Sequence, residues 1–327
     1  CGNVGTTVIE SVESSEKYEV LVLEISSFQL HWLKEASFVA SAILNIAQDH
    51  VDWHGSFAEY ARVKGSILDR SSTGIFNASD PEVVNQAAHW QGRKVFFSLD
   101  TPAPGEIGVV EELLVDRAFV SDPQEAAMLA ELIDVKPTVP HNVANALAAA
   151  GLVRALGVEP EAIRTALQNF KPGRHRIEEV AVRNGVTWIN DSKATNPHAA
   201  AASLLSSLSS IWIAGGLAKG AEMGELISRC KSRIKAAILI GADRELIAKE
   251  LREQAPDTEI VYIDAPDSYQ KGGTDNSLME AVVKAAAERA TPGDTVLMAP
   301  ACASMDQFIS YSDRGDRFAA AVKKVTQ

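Results

Sequence analysis

Asn190-Asp191-Ser192-Lys193-Ala194-Thr195-Asn196 follows directly on Val186-Thr187-Trp188-Ile189, an apolar run of strand character. Asp, Ser, Lys and Thr therefore stand together at the carboxyl edge of a strand, the edge at which open α/β sheets bind ligands. Asp accepts from hydroxyls, Lys neutralises phosphate or carboxylate, and Ser and Thr add short donors. Alone, a polar strand-to-helix turn with N-caps explains such a run equally well. A second run of the same kind ends another apolar strand: Ala299-Pro300-Ala301-Cys302-Ala303-Ser304-Met305-Asp306-Gln307-Phe308 follows Thr295-Val296-Leu297-Met298.

Outward from these runs the pattern is β/α alternation. After Lys171-Pro172-Gly173-Arg174-His175, strands are expected near 187, 211–214, 236–240, 259–263 and 295–298. Helices are expected near 198–206, 222–228, 243–253, 277–290 and 316–325, with Ser304 opening a further one. Before the break, strands are expected at 18–23, 39–46, 74–77 and 94–98, helices at 57–68, 141–156 and 159–169, and a hairpin excursion within 101–123. The fold class is α/β throughout: a central, mainly parallel sheet of ATPase type over residues 1–172, then a smaller doubly wound, Rossmann-like domain over 173–327.

The 327 residues are 46% hydrophobic and 23% charged, as in a globular protein in water. The net charge of -12 argues against a nucleic-acid or anionic-membrane surface. Three cysteines without paired spacing, Cys1, Cys230 and Cys302, suggest a reducing compartment. No apolar run is long enough to span a bilayer. The chain opens on Cys1 and a glycine-rich turn rather than on methionine, which reads as a fragment. It carries neither G-x-x-x-x-G-K-[ST] nor the dinucleotide G-x-G-x-x-G.

Several residues have a functional and a bland reading side by side. Glu24 and His50 end neighbouring strands and Lys64 lies on the helix that follows, so the three could converge on one cation. A histidine in a polar turn and a solvated helix lysine are the ordinary alternatives. Asn3, Ser26 and Gln29 sit in short polar runs that turn capping also explains. Asn142 and Asn145 share a helix face and offer amides that suit an adenine edge, while N-capping by Asn142 is as good an account. Arg174 and Arg176 flank His175, and Lys219 lies in Gly215-Gly216-Leu217-Ala218-Lys219-Gly220 after a strand.

Taken together, Asn-Asp-Ser-Lys-Ala-Thr-Asn and Ala-Pro-Ala-Cys-Ala-Ser-Met-Asp-Gln-Phe resemble the Mur ligases of bacterial cell-wall synthesis, in particular their D-glutamate-adding branch. The resemblance runs from Gly2-Asn3-Val4-Gly5 to the C-terminal helix. It implies a cytoplasmic, monomeric, ATP-dependent amide ligase that joins D-glutamate to UDP-N-acetylmuramoyl-L-alanine through an acyl phosphate. It also implies an upstream domain and a phosphate loop outside these residues, so the chain alone is expected to be inactive. Glu24, His50 and Lys64 match the Mg²⁺ site, with Lys64 carbamylated. Asn3, Ser26 and Gln29 match the UDP-muramoyl site, and Asn142 and Asn145 the adenine site. Arg176 and Asp191 match the nucleotide contacts, with Asp191 on the ribose. Lys193, Thr195, Lys219, Ser304 and Tyr311 match the D-glutamate site, with Tyr311 standing where a Phe is expected. Catalysis would then rest on Lys64, His50 and Lys193. Other readings remain: a folylpolyglutamate synthase or another Mur enzyme, or a non-catalytic nucleotide-binding module.

Overall fold

Ile75 and Phe76 are neighbours in sequence, both are fully buried, and they belong to different hydrophobic clusters. That is the mark of a strand covered on both faces, since side chains alternate across the sheet. The computed structural model describes residues 1–326 and divides them into two units, the first ending at Phe170 and the second beginning at Lys171.

The first unit runs α1 (Val8–Glu13), α2 (Ser27–Trp32), β1 (Phe38–Ile43), α3 (Val51–His54), α4 (Phe57–Gly65), β2 (Ser71–Asn77), α5 (Pro81–His89), β3 (Arg93–Phe97), β4 (Glu106–Val110), β5 (Leu113–Asp116), β6 (Ala127–Glu131), α6 (Pro140–Arg154) and α7 (Pro160–Asn169). Its sheet has the spatial order β1-β2-β3-β4-β5-β6. The strands β1 to β4 are parallel; β5 is antiparallel to β4, and β6, antiparallel to β5, resumes the common direction. Ile75, Val95, Phe97 and Ile107 bury one face under Leu147 of α6 and Ile163 of α7, while Phe76 and Ile43 bury the other under Tyr60 of α4 and Val83 of α5.

The second unit runs β7 (Glu178–Arg183), β8 (Val186–Asn190), α8 (Pro197–Leu205), β9 (Ser210–Gly215), α9 (Gly224–Cys230), β10 (Ile234–Ile240), α10 (Arg244–Gln254), β11 (Glu259–Tyr262), α11 (Ser277–Ala287), β12 (Thr295–Met298) and α12 (Tyr311–Thr326). The spatial order is β11-β10-β9-β12-β8-β7, parallel except for β7. Every residue of β9 is buried. Trp212 and Ala214 face α8, α9 and α10, while Ile211 and Ile213 face α11 and α12. The indole of Trp212 meets its hydrogen-bonding need by donating to the Ala299 carbonyl at 2.7 Å. Because β12 lies between β8 and β9, the loops that follow these three strands emerge side by side at one edge.

Two expectations are corrected. Residues 18–23 form no strand, although they are apolar. A strand needs a ladder, and what borders this segment is the short N-terminal stretch: the Cys1 ammonium donates to the Val22 carbonyl (3.0 Å), and just beyond it Glu24 N–H donates to Cys1 (3.0 Å) and Asn3 N–H to Glu24 (2.7 Å). Val20 and Val22 are left exposed. Ser304 opens no helix either; α12 begins at Tyr311. Ala303 pairs with Leu217 in both directions at 2.9 Å, which holds the chain extended, and only one helical turn follows, closed by Phe308 N–H on the Ser304 carbonyl at 2.8 Å.

Candidate functional site

The edge formed by β8, β9 and β12 gathers Lys193, Thr195, Lys219, Ser304 and Tyr311. The Lys193 ammonium lies 4.2 Å from the centre of the Tyr311 ring, within cation–π range. Its backbone N–H donates to the His175 carbonyl at 3.2 Å. Lys219 is exposed in the left-handed region at φ 51°, Thr195 is half-buried, and Ser304 is buried. Gly216, at φ 134°, permits the close approach of the β9 and β12 loops, because a Cβ there would stand 2.1 Å from the Ala303 carbonyl.

Asp191 turns inward. Its carboxylate accepts from the Ile177 N–H at 3.2 Å and from the Ser203 hydroxyl. Burial pushes its pKa up, opposed by those two bonds and by the charge of Arg176. Arg176 itself is exposed, whereas Arg174 is engaged with Asp316 at 2.5 Å.

Three residues to which the sequence reading gave no role hold this edge together. The Asn190 amide nitrogen lies 2.9 Å from His175 Nδ1 and donates to Glu178 and to the Gly315 carbonyl, each at 3.1 Å. His175 is buried in a left-handed conformation at φ 64°. Arg314 is 1% exposed. Its guanidinium donates to Ser192 Oγ (2.9 Å), the Ser192 carbonyl (3.0 Å), the Cys302 carbonyl (3.1 Å) and the Gly215 carbonyl (3.5 Å). Ser192 Oγ donates in turn to the Tyr311 carbonyl at 2.8 Å. An arginine on an amphipathic helix reads from sequence as a solvated face, and only the fold shows it turned inward.

In the first unit, Asn3 Nδ2 donates to Glu24 Oε1 at 3.3 Å. Lys64 is half-buried with its ammonium 5.4 Å from the Tyr60 ring centre. Burial drives its pKa down, and the charges of Asp49 and Glu24 oppose that shift. His50, at φ 50°, stands at the N-cap position of α3 without a side-chain capping bond and packs edge-on against Phe28 at 4.8 Å. Glu24 and Asp49 thus act on Lys64 electrostatically, Asp49 being a participant that the sequence reading did not single out. Among the described residues no three His, Cys, Asp or Glu side chains form a metal cage. Mg²⁺ is ordinarily held by one or two carboxylates with water and substrate phosphates, so Glu24 with its neighbours suits that ion better than one needing a closed cage. Ser26 and Gln29 form the capping box of α2, the bland reading of that pair.

Asn142 is not the N-cap of α6, which starts at Pro140 after Val139; its amide donates to the Pro137 carbonyl at 3.1 Å. Asn145 is exposed on the same helix.

The Mur ligase middle domain family matches residues 5–153, and the family described as Mur ligase, glutamate ligase domain, matches residues 175–302. The chain belongs to the Mur ligase family. Its similar curated relatives include the UDP-N-acetylmuramoylalanine--D-glutamate ligases of Streptomyces coelicolor, 48% identical over 99% of this chain and 68% of that protein, and of Thermobifida fusca, 48% identical over 98% and 69%. That of Mycolicibacterium smegmatis is 42% identical over 99% and 69%. The chain therefore spans about two thirds of the length of these relatives. Among solved structures, the MurF ligase of Thermotoga maritima in complex with ADP superposes with a TM-score of 0.62 at 17% identity, covering 99% of this chain and 72% of that one. The UDP-N-acetylmuramate-alanine ligase MurC of the same organism gives 0.58 at 14% identity, covering 93% and 64%. These two likenesses carry the fold.

Proposed function

We propose that the protein is an ATP-dependent carbon–nitrogen ligase that adds D-glutamate to UDP-N-acetylmuramoyl-L-alanine in peptidoglycan precursor synthesis, acting as a cytoplasmic monomer. The observation that carries this reading is the 48% identity over 99% of the chain to ligases of that name. The arrangement of Lys193, Thr195, Lys219 and Tyr311 around one sheet edge supports it. Among the described residues no helix is long and apolar enough to cross a membrane.

In this reading ATP phosphorylates the substrate carboxylate, the amine of D-glutamate attacks the acyl phosphate, and ADP and phosphate leave. The first unit is the central ATP-binding domain and the second holds the amino acid while contributing Arg176 and Asp191 to the nucleotide. Asn142 and Asn145 serve adenine, Arg176 and Asp191 the nucleotide's ribose and phosphates, and Asn3, Ser26 and Gln29 the UDP-muramoyl group. Lys193, Thr195, Lys219, Ser304 and Tyr311 serve D-glutamate. The Asp191 carboxylate, already accepting from Ser203 and Ile177, also braces the loop that carries Lys193. Glu24, His50 and Lys64 would hold Mg²⁺, which when bound offsets charge on phosphate oxygens. Lys64 suits carbamylation, because burial favours the neutral amine that adds to carbon dioxide with loss of a proton. Positioning and electrostatics suffice for such a reaction; no covalent nucleophile is required, and burial pushes the Cys302 thiol up to about 12.

The test is an ADP-release assay on the complete gene product with a panel of amino acids. Release that depends on both UDP-N-acetylmuramoyl-L-alanine and D-glutamate is expected. Equal release with L-alanine and UDP-N-acetylmuramate would assign the protein to a different step.

A further inference from the structure

Arg314 poses a problem that its hydrogen bonds do not solve. Four of its contacts are to neutral oxygens, on Ser192, Cys302 and Gly215. Among the described residues no carboxylate lies within ion-pair distance of it, whereas Arg174, Arg229, Arg244, Arg289 and Arg317 of the same unit each find one. A guanidinium taken out of water without a counter-anion is a costly thing to keep, and replacing it with an apolar side chain is the cheaper way to fill the space. Its position is specific. The three loops it joins are those that follow β8, β9 and β12, and Tyr311, three residues before it on α12, carries the Lys193 ammonium on its ring. The charge of Asp306, on the same loop as Cys302, acts on Arg314 from beyond ion-pair distance, while its Oδ2 accepts from the Ala242 N–H at 2.9 Å and its Oδ1 is buried without a partner. The positive charge at this edge is therefore left for a ligand to balance.

We propose that Arg314 is a positioning residue that both ties the three loops into one site and supplies beneath it a positive charge that no ion pair neutralises, so that the edge attracts a carboxylate it never touches. The proposal rests on the reading of this edge as an amino-acid site, but its test separates the two. The pKa of Arg314 is lowered to about 10, because burial disfavours its charge by more than Cys302 and Asp306 restore, in keeping with a guanidinium that makes no ion pair.

The experiment is a titration of the full chain with D-glutamate, and in parallel with glutarate and sulfate, following backbone amide shifts at Lys193, Thr195, Lys219 and Ser304. Arg314→Lys, which keeps the charge, should bind within about threefold of the parent, and Arg314→Gln, which keeps donors and loses the charge, should bind about tenfold or more weakly. Asp306→Asn, which removes the opposing charge and leaves Arg314 in place, should bind two- to fivefold more tightly. Unfolding midpoints measured alongside identify any variant that has lost its fold. Equal weakening in the Lys and Gln variants, or no gain in Asp306→Asn, would overturn the proposal, since a purely structural clamp predicts both. A parent protein that responds to glutarate or sulfate but not to D-glutamate would instead overturn the choice of amino acid, leaving the role of Arg314 decided by the same variants.

Discussion

Lys64 shows how one side chain can weaken the fold and serve the chemistry. Burial lowers its pKa despite the opposing charges of Asp49 and Glu24, so its protonated form is disfavoured in the folded state. The cost is fully present below the folded-state pKa and vanishes as pH rises past the ordinary lysine value. Lys64→Met should therefore raise the unfolding midpoint at neutral pH, by about 2–4 °C for each kcal/mol recovered. The gain over the parent should shrink toward pH 10 and above in a thermal-melt series. The same position should be indispensable to turnover: in ADP-release assays Lys64→Ala is expected to be crippled and partly restored by formate or acetate, which refill an anion site. Full activity in Lys64→Ala would remove the carbamate from the account. At this scale the sequence was legible where a polar residue ends an apolar strand, as at Lys193, and illegible where a polar residue turns inward. Asn190, His175 and Arg314 have no periodicity that distinguishes them from surface residues, and only the packing of α12 on β7 and β8 shows what they hold.

Helix α12 contains a test of packing against propensity. Exchanging a helix-interior glycine for alanine ordinarily stabilises, by about 0.5–1 kcal/mol. At Gly315 the added Cβ would stand 2.2 Å from His175 Nδ1, an atom already held by Asn190. Gly315→Ala should therefore destabilise, by about 1–3 kcal/mol in denaturant titrations, as overpacking does. A stabilised variant would mean that His175 is free to move. Strands β9, β10 and β12 are legible because each is an apolar run flanked by turn residues. Strands β6 and β7 are not: Ala127-Met128-Leu129-Ala130-Glu131 lacks β-branched and aromatic residues, and Glu178–Arg183 is a charged edge strand. The opposite failure, at 18–23, arose because apolarity marks burial or pairing in general and cannot say that a ladder partner is present. Ser304 misled for a related reason, since the helix-like spacing beyond it is overruled by the pairing of Ala303 with Leu217.

For the molecule as a whole, the two substrates to be joined fall to different units, the UDP-sugar to the first and the amino acid to the second. D-Glutamate has two carboxylates, so its site needs two anion-binding poles. Lys219 and Thr195 would form one. The Ser304 turn would lie at the other, now without the support of a helix start. Loss of one charge-assisted contact costs about 1.5–3 kcal/mol, or roughly 10- to 150-fold in an apparent constant. The most direct test of this division is steady-state kinetics of Lys219→Ala in the complete gene product, with each substrate varied separately. The account predicts a rise of that size in the KM for D-glutamate and almost none in the KM for UDP-N-acetylmuramoyl-L-alanine; a change in the UDP-sugar constant with the D-glutamate constant unmoved would contradict it.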